Sequence, residues 1–264
     1  MLSENTVYIE RVVLDMNLGE PIAKGNTATV YLHNNKIIKV FNDNLPEAKA
    51  EYEAKKQIYA YSCGLPVPYI YEVTKVNGRQ AIIMERVEGR TIGELIFNDM
   101  TKAEQYMRLS VDIQLKIHAV KALDFELMTD KLNRQILSAH LLNDKQKNAL
   151  SEKLLGINHD KYLCHGDYHV FNLIINENQV TIIDWVDASA GDVRADVYRT
   201  YLLYSHFSMD LANLYLQLYC DKSGISQSEI FIWAPIIAGA RLSENVPSEK
   251  AGRLIEIVDQ YCPV

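Results

Sequence analysis

Polar and apolar positions alternate with one rhythm before residue 90 and another after it, and the two rhythms predict two kinds of structure. In the first stretch, "TATVYLH" and "KIIKVF" are short runs rich in β-branched and aromatic residues. They flank Asn34-Asn35, and asparagine tolerates the positive φ of a tight hairpin turn. "EAKAEYEAKKQIYAYS" follows "NDNLP", is rich in helix formers and stops at Gly64, which predicts one helix. "LPVPYIYEVTKV" and "RQAIIMERV" then flank Asn77-Gly78, a strong hairpin signal. These elements make a small antiparallel sheet with one helix.

From residue 91 the spacing becomes helical. "TIGELIFND" comes first, then "KAEQYMRLSVDIQLKIHAV", where Met107, Val111, Leu115 and Ile117 recur near a 3.6-residue period. Helix is predicted over 129–155, broken at Asn143-Asp144, and again from Asp196 to the end, with loops at "DKSGISQS" and "ENVPSEK". Between these helices, runs at 173–175 and 180–183 predict a hairpin around "NENQ". The shift near "VEGRT" divides the chain into segments 1–88 and 89–264, an α+β organisation with a small β-rich part and a larger helical part.

Composition narrows the picture. With 264 residues, 48% of them hydrophobic, the chain can bury a core of its own, as one large domain or two lobes. A formal charge of −7 argues against general binding of nucleic acid, which calls for clustered Lys and Arg; an acidic surface suits cationic partners better. Cys63, Cys164, Cys220 and Cys262 form no CxxC pair, so reduced thiols are expected. The start, "MLSENTVYIERVV", lacks a leader pattern, and the longest apolar run, "IFIWAPIIAGA", is too short to span a bilayer. A cytoplasmic protein without membrane association is expected; the sequence carries no signal of oligomeric state.

The chemistry concentrates in "CHGDYHVFN", residues 164 to 172, followed by "IIDW". Asp167, Asn172 and Asp184 supply a carboxylate able to orient an alcohol, and an amide and second carboxylate able to hold Mg²⁺ through hard oxygens. That is a phosphoryl-transfer set. Two other readings compete: Asp167 and Asn172 as turn formers, and His165, Asp167 and His169 as an H-x-D-x-H ligand set of a metal-dependent hydrolase. Upstream, "AKGNTATV" lies over the pattern G-x-G-x-x-G-x-V with only Gly25 kept, Ala23 and Ala28 standing at the first and third glycines. Lys39 sits amid apolar neighbours and needs a partner, for which Glu51 and Glu53 both qualify. "AIIMERVEG" ends where main-chain groups would be free to meet a planar heterocycle, and Met84 in it also suits core packing.

Together these residues resemble the aminoglycoside phosphotransferase and choline kinase family, the small-molecule branch of the protein-kinase-like fold. Its specific part is "HGDYHVFN" with "IIDW"; the similarity runs from about residue 19 to the C-terminal helices. The resemblance implies an N-terminal nucleotide-binding lobe and a C-terminal catalytic and acceptor-binding lobe. It implies Asp167 as catalytic base, Asn172 and Asp184 as Mg²⁺ ligands, and Lys39 on the phosphates of ATP, GTP remaining open as donor. Glu53 is implied as the partner of Lys39, being eleven residues before Gly64, although Glu51 stays open. The Glu85 carbonyl and Val87 amide are implied to receive adenine, and Asp196 to brace the catalytic loop; His165, on the reading of the residues themselves, is a buried side chain that orients the loop by bonding its backbone. His169, Asp187 and Asp192 are candidates to meet an acceptor, the last two equally well placed as loop caps. The acceptor itself, an aminoglycoside, an amino alcohol or a sugar, is not indicated. Val170 departs from a position that is often Pro in the family. A nucleotide-binding regulatory protein without catalysis is the third reading, against which every polar group needed for transfer is present.

Overall fold

The computed structural model describes residues 13–261 apart from 15, 26, 123–124, 159, 178 and 247–248. The segment 1–12 on which the reading of no leader rests, Asn26 of the glycine loop and Cys262 lie outside the described residues. The chain forms two compact units: one holds residues up to Gly89 together with Ile174–Val186, the other Arg90–Leu173 and Asp187 onward.

The first unit is built on β1 (Val13–Leu14), β2 (Ala23–Lys24), β3 (Ala28–His33), β4 (Lys36–Phe41), α1 (Lys49–Ser62), β5 (Ile70–Val76) and β6 (Arg79–Glu85). The strands lie in the order β1-β5-β6-β4-β3-β2, antiparallel throughout except for the parallel β1–β5 pair. Asn34 and Asn35 take φ of 48° and 59°, and Asn77 and Gly78 of 51° and 79°, the left-handed pairs that a two-residue hairpin needs. Side-chain alternation then divides the sheet. Ile38, Val40, Val76, Ala81 and Ile83 form one cluster, whereas Phe41, Ala28 and Ile82 pack with Ala50 and Ala54 of α1. Lys39 shares the period-two phase of Phe41, which directs it toward α1.

The second unit contains β7 (Arg90–Thr91), α2 (Ile92–Asn98), α3 (Ala103–His118), α4 (Met128–Ser138), α5 (Asp144–Gly156) and β8 (Tyr162–Cys164). The chain leaves it for the hairpin β9 (Leu173–Asn176) and β10 (Gln179–Ile182), and returns through β11 (Ser189–Gly191). It finishes with α6 (Val193–Phe207), α7 (Met209–Ser223), α8 (Gln227–Phe231), α9 (Ala234–Arg241) and α10 (Ala251–Tyr261). Thr91 and Asn143 start α2 and α5 with capping boxes, closed by Glu94 and Gln146. β8 pairs antiparallel with β11, α3 and α6 pack on α7, and α9 is flanked by α4 and α10. None of the described helices is long and apolar enough to cross a membrane.

The β9–β10 hairpin belongs with the first unit, where the sequence reading had it in the C-terminal segment. Three contacts explain the difference. Ile182 N–H donates to the Pro66 carbonyl at 2.8 Å, Lys56 Nζ donates to the Val186 carbonyl at 2.9 Å, and the backbone at Gly89 closes on that of Ile175. A Cβ at residue 89 would lie 2.4 Å from the Ile175 oxygen, and φ there is 135°, so only glycine fits. Local periodicity carries no trace of such distant pairings. The two-residue strands β1, β2, β7 and the three-residue β11 escaped prediction for a related reason: they are too short to show a period.

Candidate functional site

In the first unit, β4 and α1 bring a cation and a carboxylate together. Lys39 Nζ lies 2.5 Å from Glu53 Oε1 and 3.3 Å from Asp184 Oδ1, just beyond β10. Glu53 is buried and Glu51 exposed, because two residues on a helix turn the side chain through about 200°; the open choice of partner resolves to Glu53. Burial works against the Lys39 ammonium, but Asp184 and Glu53 outweigh it and raise its pKa, so it stays charged. The second oxygen of Glu53 is buried without a hydrogen-bond partner. Asp184 holds φ of 63°, a left-handed conformation costly for aspartate and typical of functional loops.

The other candidates of this unit are less developed. Gly25 N–H donates to the Ala28 carbonyl at 2.9 Å in the turn between β2 and β3. Glu85 closes β6, with its N–H on the Tyr69 carbonyl at 2.8 Å and its carboxylate on Tyr69 N–H at 3.0 Å; Val87 follows in irregular, half-buried backbone.

In the second unit, the loop after β8 carries the remaining candidates, and Asp196 braces it. Asp196 Oδ1 accepts from Gly166 N–H at 2.7 Å and Oδ2 from His165 N–H at 3.2 Å. Behind it, His118 Nε2 lies 2.9 Å from Oδ2, and the other ring nitrogen of His118 is 2.7 Å from the Tyr219 hydroxyl. Burial pushes the Asp196 carboxyl up, yet His118 and the Gly166 N–H hold it below the ordinary range. Tyr168 donates its hydroxyl to the Ser110 carbonyl at 2.6 Å, and Val170 N–H donates to the Tyr204 hydroxyl at 3.1 Å. Gly166 is irreplaceable: φ is 80°, and a Cβ would sit 2.3 Å from the Asp187 oxygen.

This support leaves the Asp167 carboxylate half-buried, with His169 Nε2 at 3.6 Å and the Arg199 guanidinium at 3.8 Å. Burial raises its pKa, but His169, Arg199 and His165 outweigh that and take it well below the usual carboxylate range. Asn172 is buried and gives its Nδ2 to the Asp167 carbonyl at 2.9 Å, which leaves the amide oxygen as a hard acceptor. His165 is fully buried, its Nδ1 accepting from Asp167 N–H at 3.3 Å.

Asp187 and Asp192 both prove engaged. Lys131 Nζ bonds the Asp187 carboxylate and carbonyl, each at 2.7 Å. Asp192 takes the capping alternative: it accepts from Arg194 N–H at 2.8 Å at the start of α6, and from Trp233 Nε1 at 3.2 Å. Among the described residues, the His, Cys, Asp or Glu side chains that converge as a potential metal set are His118, Cys164 and Asp196, not the H-x-D-x-H residues.

Sequence reading missed several residues of this region. Ser110, Gln114 and His118 occupy successive turns of α3's buried stripe, and only that four-residue spacing of polar groups on an apolar face hinted at them. Arg199 and Glu244 were also missed: the guanidinium bonds Glu244 through two nitrogens, each at 2.9 Å. Arg199, Glu244, Lys131 and Asp187, with Met128 and Leu132, line a cleft open to solvent.

The family model described as "Phosphotransferase enzyme family" matches residues 19–231. No curated protein matches the chain by sequence. Solved structures share its fold at low identity. The ADP-bound aminoglycoside phosphotransferase APH(2'')-Ib is 15% identical with a TM-score of 0.62, over 94% of this chain and 93% of that one. A thermostable mutant of aminoglycoside phosphotransferase APH(4)-Ia, in ternary complex with AMP-PNP and hygromycin B, is 14% identical with a TM-score of 0.68, over 93% and 94%. A choline/ethanolamine kinase family protein from Mesorhizobium loti is 13% identical with a TM-score of 0.58, over 92% and 86%.

Proposed function

Because the chain belongs to the phosphotransferase enzyme family, we propose that it moves the γ-phosphoryl group of ATP to a hydroxyl of a small molecule, with Asp167 orienting that hydroxyl. The observation that carries this reading is the Asp167 loop. Its carboxylate is kept ionised beside Arg199 and held in place by the buried Asp196 network. A carboxylate with so low a pKa is a weak proton acceptor. Its part is therefore alignment of the alcohol, with the proton received late, which suits a loose transition state in which positioning and charge stabilisation supply the rate.

In this reading the first unit serves the nucleotide. Lys39, kept charged and aimed by Glu53, binds phosphate oxygens; the Glu85 carbonyl and Val87 amide receive the base, and Gly25 lets backbone approach the phosphates. Support for ATP comes from relatives of the same fold described with ADP and AMP-PNP. Asp184 in the first unit offers a carboxylate oxygen and Asn172 in the second an amide oxygen, each a hard donor of the kind a divalent cation takes. Mg²⁺ held by them would neutralise charge on the phosphates. A reaction drawing on ATP, in a chain whose described cysteines Cys63, Cys164 and Cys220 are free thiols, suits the cytoplasm.

The test is Mg²⁺-dependent phosphoryl transfer from ATP across a panel of alcohols, beside binding of a nonhydrolysable ATP analogue. Transfer to an acceptor that disappears in Asp167→Ala while analogue binding survives is the expected result. Unimpaired turnover in that variant, or no nucleotide binding by the wild type, contradicts the reading.

A further inference from the structure

The buried face of α1 carries three long polar side chains among its alanines. Glu53, Lys56 and Gln57 stand at the i, i+3 and i+4 positions of that face, each between 3% and 4% exposed. Taking such groups out of water is costly unless each finds a partner. Glu53 meets Lys39, Gln57 donates its amide to the Pro68 carbonyl at 2.7 Å, and Lys56 donates its ammonium to the Val186 carbonyl at 2.9 Å while lying 4.2 Å over the Tyr52 ring. The proposed nucleotide chemistry uses Glu53 and gives Lys56 no task.

The carbonyl that Lys56 holds lies two residues past Asp184, whose left-handed φ of 63° is a conformation that persists only where the surroundings enforce it. Bonds on both sides of Asp184 do so. Before it, Ile182 N–H is fixed on the Pro66 carbonyl at 2.8 Å. After it, the fully buried Trp185 turns its indole N–H back onto the Ile182 carbonyl at 3.2 Å, and Lys56 fixes Val186. Without this last bond the turn would be free to relax toward an ordinary φ, and a change of backbone region at one residue redirects its side chain. The Asp184 carboxylate, 3.3 Å from Lys39 Nζ, would lose its aim.

We propose that Lys56 is a positioning residue for the Asp184 carboxylate: by holding the Val186 carbonyl it keeps the strained turn, and with it the oxygen offered to Mg²⁺ beside Lys39. The proposal rests on the phosphotransferase reading and adds a residue to it. One turn of α1 then serves both charges, since Glu53 aims the ammonium of Lys39 and Lys56 the carboxylate of Asp184. Such an outer partner acts only through the group it orients.

The experiment uses Lys56→Met, which keeps the apolar stem but cannot donate. Binding of AMP-PNP is titrated at a series of Mg²⁺ concentrations in wild type and variant. The Mg²⁺ concentration giving half of the full gain in AMP-PNP affinity should rise about tenfold, with affinity in the absence of Mg²⁺ changed by less than about twofold. A second readout needs neither ligand. The chain has two tryptophans, Trp185 beside Asp184 and Trp233 in the other unit, so the indole N–H region of a ¹H–¹⁵N spectrum holds two peaks, assigned with Trp233→Phe. Lys56→Met should move the Trp185 peak and speed its hydrogen exchange while the Trp233 peak stays in place; loosening of the whole fold would move both. Lys56→Gln, one atom too short to reach Val186, should behave alike. Wild-type Mg²⁺ dependence in the folded variants, equal loss of AMP-PNP affinity with and without Mg²⁺, or collapse of both indole peaks in both variants overturns the inference. A wild type that binds no Mg²⁺-AMP-PNP strikes the phosphotransferase reading, and the inference falls with it.

Discussion

Lys39 and Asp167 are both charged side chains drawn inward, yet one is placed by a strand and the other by a network. Lys39 points where the pleat of β4 sends it, and its partner Glu53 arrives on the one helix packed against that face. Asp167 sits in irregular backbone whose position depends on His118 from α3, on Asp196 and Tyr204 from α6, and on Tyr168 within the loop itself. Regular structure fixes a side chain through hydrogen bonds that are made locally and repeatedly. A loop has no such repeat, so its backbone groups must find partners among distant side chains. A charge on a strand therefore tolerates changes outside its own sheet, whereas the loop is exposed to every element that braces it.

The largest effect expected divides the two sites by what they do. Asp167→Ala should lower kcat by about 10³-fold with little change in affinity for Mg²⁺-ATP, while Lys39→Met should chiefly weaken nucleotide affinity, by about tenfold or more. Kinetics and titration with a nonhydrolysable analogue separate them, and a lower melting temperature should accompany Lys39→Met because it strands the buried Glu53 carboxylate. If both variants lost only nucleotide affinity, the division of labour would be wrong.

Next comes the brace. Asp196→Asn removes a buried charge that serves His118 and two backbone donors, which should cost about 3 kcal/mol, or roughly 6–12 °C in melting temperature for a chain of this size. The pH dependence has a definite sign. The native Asp196 carboxyl titrates below its ordinary value of 3.8, so the stability it adds is complete above that value and is lost as pH falls through the lower native one. The gap between wild type and variant should stay constant from neutrality down to about pH 5 and close below it. A gap that widened on acidification would refute the brace.

The smallest expected effect concerns Tyr204. Tyr204→Phe leaves the buried Val170 N–H without its acceptor and should cost about 1–2 kcal/mol, read as a lower urea midpoint with an unchanged slope. This bond also gives Val170 a reason: proline, frequent at that position in the family, has no N–H to donate.

The chain's own order of residues determined the hairpins at Asn34-Asn35 and Asn77-Gly78, the helical character after residue 91, and the phosphotransferase family through "HGDYHVFN" and "IIDW". Those features are local, written in turn chemistry, period and short spacing. Only tertiary structure decided that Glu53 rather than Glu51 meets Lys39, that the β9–β10 hairpin joins the first unit, and that Asp187 is already paired with Lys131. It alone also brought Arg199 to Asp167 and placed His118 behind Asp196. The physical reason is that a buried polar group is satisfied by whichever partner the packing of distant elements delivers, and neither its identity nor its direction leaves a period in the sequence.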